Sequence, residues 1–175
     1  MHRAGEGRRR QGPRGPHPRP SRRCRRDGRR LRPRRPHPEG EGASRAISAA
    51  LRDAGLSPTD IGHVNAHATS TPVGDTAEAA AIRSSLGEHV LVSATKSQTG
   101  HLLGAAGALE SVFTILALRE QIVPATANLD DPDDDAAVQS LDIVRNEPRR
   151  ATLTAAVNDS FGFGGHNMAL VFTTA

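Results

Sequence analysis

The chain has 175 residues, room for one ordinary domain, with 22 arginines, a single lysine and 19 acidic residues for a net charge of +4. That figure describes neither part of it: residues 1–36 hold 15 arginines against two acids, a local +13, while residues 37–175 hold eight basic and 17 acidic residues, a local −9. One cysteine, Cys24, excludes an internal disulfide and is expected of a cytoplasmic chain, and the most apolar stretch, 102–118, is interrupted by Glu110, so no membrane span is expected.

Residues 1–36 are built from Arg, Pro and Gly, with Met1 and Leu31 their only large apolar residues. Such a segment cannot bury enough apolar surface to offset the entropy of ordering it, so it is expected to be disordered and to precede a folded part at 37–175. A lysine-free, arginine-rich mixture is also what a GC-rich gene gives in the wrong frame. A frame error or misplaced start upstream of about His37 is therefore the favoured reading, ahead of a basic arm for nucleic acid or anionic lipid and of a targeting peptide. The segment has no aromatic residues to stack on bases, so a nucleic-acid partner is not expected.

From Glu39 onward the pattern becomes regular. "EGEGASRAISAALRDAGLSP" predicts a helix over 42–54, with Ala46, Ile47, Ala50 and Leu51 on one stripe, Gly55 as the cap and Pro58 blocking continuation. "IGHVNAHATST" predicts a short strand running into a polar loop, and "GDTAEAAAIRSSLG" a second helix over 75–86 closed by Gly87. "HVLVSATKS" predicts a strand over 90–94 and a loop holding Lys96. "HLLGAAGALESVFTILALRE" predicts the longest helix, apolar on most faces and so buried on several sides. Gly104 and Gly107 inside it are expected where another backbone packs closely. "DDPDDD" reads as a solvated loop, without the glycine and distal glutamate of a calcium site. "LDIVRNEPRR" holds a short strand, and "ATLTAAVNDS" and "HNMALVFTT" predict two strands flanking "FGFGGHN". This order predicts an α/β fold with helices layered on a sheet.

The reactive side chains fall in three segments, each after an apolar strand, where α/β folds place their functional groups. "NAHATST" offers His67, Thr69 and Thr71; "TKSQTGH" offers Lys96 and His101; "NDSFGFGG" offers backbone amides in a glycine-rich turn. Two histidines and a lysine could serve as acid and base, hold an anionic substrate, or bind metal. No carboxylate stands at the spacing of H-E-x-x-H, so no metal is expected. A strand rather than a helix follows the glycine turn, which fits N–H groups aimed at a reacting oxygen better than a phosphate cradle.

"VNAHATSTPVGDTAEAAAI", "TKSQTGHLLGAAGALES" and "NDSFGFGGHN", in that order, resemble the C-terminal half of a beta-ketoacyl-[acyl-carrier-protein] synthase, the elongating condensing enzyme of bacterial fatty acid and polyketide synthesis. "PEGEGASRAI" and "PATANLDDPD" agree with it, and the likeness runs from about residue 38 to 172. The resemblance implies the thiolase-like fold, two similar α/β halves in an αβαβα sandwich, of which residues 37–175 would form the C-terminal half. It implies decarboxylative condensation of malonyl-carrier protein with an acyl chain, no cofactor beyond the carrier's phosphopantetheine, acyl carrier protein as partner, and a homodimer for the full-length family. His67 and His101 match the family's catalytic histidines, donors to the thioester oxygen while the enolate forms. Lys96 matches its lysine, supported by Glu110. Phe163 matches the gating phenylalanine whose N–H helps form the oxyanion hole. Thr69 and Thr71 match residues that hold the phosphopantetheine arm.

The chain departs from the family in two places. Ala68 stands where the family has glycine, which costs about 1 kcal/mol if the position needs a left-handed backbone. The family's nucleophilic cysteine belongs to the other half, and Cys24 in "SRRCRRDG" has no strand or helix context to activate it. The expectation is a chain inactive in condensation, with a helix left bare on faces meant for the missing half and poorly soluble. A non-catalytic partner of the chain-length-factor type or a polyketide ketosynthase is the alternative, and a basic-arm nucleic-acid binder the remote one.

Overall fold

A computed structural model describes residues 40–174; the Arg-rich segment, Cys24 and the expectation of disorder there lie outside the described residues. The first helix, α1, spans Glu41–Ala54 and buries Ala43, Ala46, Ile47, Ala50 and Leu51, the expected stripe plus one residue. Gly55 ends it in the left-handed region at φ 70°, which glycine reaches without a Cβ penalty.

Strand β1 (Ile61–Asn65) leads by a loop to helix α2 (Pro72–Leu86). This helix begins three residues before the expected start because Pro72 sits in its first turn, where the missing N–H costs nothing. Strand β2 (Leu91–Ser93) follows, then a single helical turn, α3 (Lys96–Thr99), where a loop was expected. Helix α4 (Ala106–Glu120) comes next, with β3 (Ile122–Val123), α5 (Ala136–Gln139), β4 (Asp142–Ile143) and β5 (Arg149–Arg150). The chain closes with the hairpin β6 (Ala155–Gly162) and β7 (His166–Thr173) around the glycine-rich turn, as read.

Five strands form one sheet in the order β4-β2-β1-β6-β7, the first four parallel and β7 antiparallel to β6; β3 and β5 make a separate antiparallel pair. Parallel strands end on one rim, so the segments leaving β1 and β2 and the end of β6 meet there. Helices α1 and α2 cover one face through Ile47, Leu51, Ile82 and Leu86 against Val64, Val157 and Val171. Helix α4 covers the other through Ala117 and Leu118 against Ala156 and Phe172. A register shift between Ile61 and His63 lets Ile61 and Val64 share the α1–α2 face.

Helix α4 differs most from expectation. It starts at Ala106, not at His101, because Leu103–Ala105 form a 3₁₀ turn with Leu103 at φ 50°. It is as long as α2 rather than longer, 15 residues each. Its buried side is Ala106, Glu110, Thr114, Ala117 and Leu118, while Val112 and Leu116 stand 50% and 36% exposed, so the apolar helix is covered on one side only. Gly107 is in close quarters, since a Cβ there would meet Ser160 Oγ at 2.9 Å, whereas Gly104 faces open space and close packing does not explain it.

Candidate active site

The three segments chosen from sequence converge at the strand rim. His67 and His101 stand edge to face with ring centroids 5.4 Å apart, and Phe161 of β6 flanks His67 at 6.0 Å. Burial, reinforced by the charges of Lys96 and His101, holds the His67 imidazole down at about 4, so near neutral pH the ring is uncharged. The Nδ1 of His101 accepts a hydrogen bond from the Leu103 N–H at 3.2 Å. That bond places the proton of a neutral His101 on Nε2, making it a donor.

Lys96, at the start of α3, is buried and pairs with Glu110 of α4 at 2.5 Å, the partner expected for it. The contact is ionic rather than a well-directed hydrogen bond: Nζ and the second oxygen, Oε2, make none. Around the pair, Asn65 donates to the Glu110 carbonyl at 3.2 Å, Thr95 donates to Asn65 Oδ1 at 3.0 Å, and Asn158 donates to the Gly107 carbonyl at 3.2 Å. These bonds tie the first half of α4 to the ends of β1 and β6.

Thr69, half-buried, and Thr71, exposed, lie on the histidine loop with hydroxyls 3.4 Å apart. The Phe163 side chain lies outside the described residues; its backbone begins the 3₁₀ turn Phe163–Gly165, where Gly164 and Gly165 adopt φ 75° and 78°, a conformation only glycine takes freely. Ala68 is not among the residues with positive φ, so the expected strain is absent; Ser70 turns the loop instead, at φ 62°. A cavity of about 470 Å³ opens beside the cluster, with His101, Lys96 and Thr69 in its wall and Ile82, Val92 and Val138 beneath. Among the described residues no group of three or more metal-ligating side chains occurs, and no helix is long and apolar enough to cross a membrane.

Three buried polar residues here were not singled out in the sequence. Glu78 of α2 accepts the backbone N–H groups of His67 and Ala68, each at 2.7 Å. Asp159 of β6 is fully buried. His63 of β1, fully buried, hydrogen-bonds Ser93 Oγ at 2.8 Å, and burial pushes it down to about 3. A charge between Ala77 and Ala79 on a buried helix face, and two adjacent polar residues inside an apolar strand, were the available signals.

Residues 24–130 match the family Beta-ketoacyl synthase, C-terminal domain. The chain belongs to the beta-ketoacyl synthase family. The resemblance read from the motifs is thereby borne out. Over 138 residues it is 50% identical to 3-oxoacyl-[acyl-carrier-protein] synthase 2 of Vibrio harveyi, covering 77% of this chain and 32% of the relative, so it spans about a third of that protein's length. A solved beta-ketoacyl synthase from Burkholderia phymatum STM815 superposes with a TM-score of 0.76 at 36% identity, over 87% of this chain and 36% of the other. A ketosynthase solved in complex with its type II polyketide acyl-carrier protein gives a TM-score of 0.74 at 34% identity, over 79% of this chain and 34% of the other. The architecture is the ketosynthase, thiolase-like one, in the part that carries the histidine and lysine motifs.

Proposed function

We propose that this chain provides the decarboxylation site of a 3-oxoacyl-[acyl-carrier-protein] synthase, acting on malonyl thioester carried by acyl carrier protein in fatty acid synthesis. The observation that carries this reading is the pair of imidazoles, 5.4 Å apart, with His67 held neutral. When the bond from the malonyl carboxylate to the α-carbon breaks, its electron pair moves into the enolate and carbon dioxide leaves. Negative charge then grows on the thioester oxygen. Two N–H donors already in place favour that state over the ground state, and no water has to reorganise.

In this reading burial keeps His67 uncharged, and Lys96, fixed by Glu110, adds to this with its charge, which an arginine's planar fork would not reproduce in the same space. Thr69 and Thr71 would hydrogen-bond the phosphopantetheine arm. The N–H groups of the Phe163–Gly165 turn supply a second cradle for a reacting carbonyl. Residues 40–174 contain no cysteine, so acyl transfer needs a thiol from elsewhere, and the chain alone is expected to decarboxylate without condensing.

The test is to incubate the chain with malonyl-carrier protein and follow acetyl-carrier protein and carbon dioxide. Release that disappears in His67→Ala and His101→Ala supports the reading; release at the same rate in both variants, or a 3-oxoacyl product from the chain with acyl-carrier protein added, contradicts it.

A further inference from the structure

Two carboxyl groups near the histidine loop have opposite surroundings. Glu78 is 4% exposed, and each of its oxygens accepts a backbone N–H, from His67 and from Ala68, at 2.7 Å. Asp159 is 0% exposed, and neither of its oxygens has a hydrogen-bond partner. Two ionised carboxylates do not coexist cheaply in one buried region. The group with two N–H donors keeps its charge; the group with none gives its charge up.

We propose that Glu78 and Asp159 work as one buried acid pair carrying a single negative charge just above neutral pH, with the proton on Asp159, and that the charge on Glu78 clamps the backbone bearing His67. Asp159 is then a positioning residue, acting on His67 through Glu78. The catalytic consequence rests on the reading of His67 above; the location of the proton does not.

The surroundings agree. Burial lifts Asp159 well above the usual carboxylate range, with the charge of Glu78 adding to this and Lys96 opposing it. Burial also lifts Glu78, to about 7, against the pull of the Ala68 and His67 N–H bonds, with Asp75 of α2 raising it further and Lys96 lowering it. Lys96 is the cation that acts on both acids, and its ammonium group is already paired with Glu110. Helix α1 carries the exposed Glu41–Arg45 pair, exposed Arg52 and half-buried Asp53, β7 brings exposed His166, and His63 and His67 are held neutral. The two protons therefore leave in steps that belong to the pair.

Substitutions separate the two roles. In Glu78→Gln the amide oxygen can take one N–H but its NH₂ faces the other donor, so the clamp is lost and decarboxylation should fall about tenfold or more. In Asp159→Asn the neutral shape is kept but the group can no longer ionise. Its pH–rate profile should lose the alkaline fall that follows ionisation of Asp159 against Glu78 in the native protein.

The deciding measurement is the infrared band of a protonated buried carboxyl, recorded on the native chain in slightly alkaline buffer. The band should be present, persist in Glu78→Gln and vanish in Asp159→Asn. Its absence from the native chain, or its loss in Glu78→Gln with survival in Asp159→Asn, overturns the proposal. If no form decarboxylates while the band behaves as stated, the function is wrong and the acid pair stands.

Discussion

The imidazole planes of His67 and His101 meet at 89°, so the edge of one ring addresses the face of the other, and His101 stands in the wall of the cavity beside them. The bond from the Leu103 N–H fixes one ring and the hold of Glu78 on the His67 backbone fixes the loop of the other. Rings held this way act as a unit. Replacing either by alanine should cost about 10²–10³-fold in decarboxylation, the range for a lost oxyanion donor. The double variant should lose little more, because the second donor has no partner to cooperate with. Turnover of malonyl-carrier protein by the three variants checks this.

Lys96 and Glu110 have side chains only 4% and 2% exposed, and each leaves an uncompensated buried charge if the other is removed. Lys96→Met is expected to destabilise the fold by about 3–5 kcal/mol. Lys96→Met with Glu110→Leu should recover most of that loss, and Lys96→Arg should not match the native chain, since a guanidinium needs more room than the buried ammonium. Denaturant midpoints for the three variants decide it.

His63 ties stability to acid. Its folded value of about 3 lies below the ordinary 6.5, so the unfolded chain takes up a proton that the folded chain refuses, and stability falls as pH drops from 6.5 toward 3. Glu78 works in the opposite sense between about 7 and 4.5, where the folded chain holds the extra proton. Replacing His63 by asparagine should therefore flatten the acid side of the stability curve by up to about 1.4 kcal/mol per pH unit. Urea unfolding at a series of pH values gives the slope directly.

The outer side of α4 and the turn before it expose Leu102, Leu103, Val112 and Leu116 at 40%, 78%, 50% and 36%. Large apolar side chains exposed on one helix and its entry turn favour association. Val112→Ser with Leu116→Ser should raise the yield of monomeric protein and lower binding of a hydrophobic dye. Its thermal midpoint should stay close to that of the native chain, since both positions face solvent.

The fold was legible where local pattern decides structure. The stripe Ala46, Ile47, Ala50 and Leu51 announced α1, and Gly55 its end. The hairpin around the glycine turn followed from two apolar runs. The same was true of His67, His101 and Lys96, reactive residues in strand-end segments. What stayed hidden depends on contacts between distant segments. Glu78 looks like a surface charge on a helix until the His67 and Ala68 N–H groups, 11 and ten residues before it, are seen to bind it. Asp159 and His63 read as ordinary strand residues because burial depends on which helix covers them. The start of α4 was missed because the bond between the Leu103 N–H and His101 competes with helix at that point, a choice made by a side chain and not by propensity.

The central claim is that His67 is an uncharged donor at the pH where the chain works. A pH titration of ¹⁵N-labelled histidine side chains by NMR tests it without any substrate. The account predicts a His67 ring that stays neutral through the mildly acidic range and titrates at about 4. A ring that takes up its proton near the ordinary 6.5 would be an imidazolium under mildly acidic conditions, and the claim would be wrong.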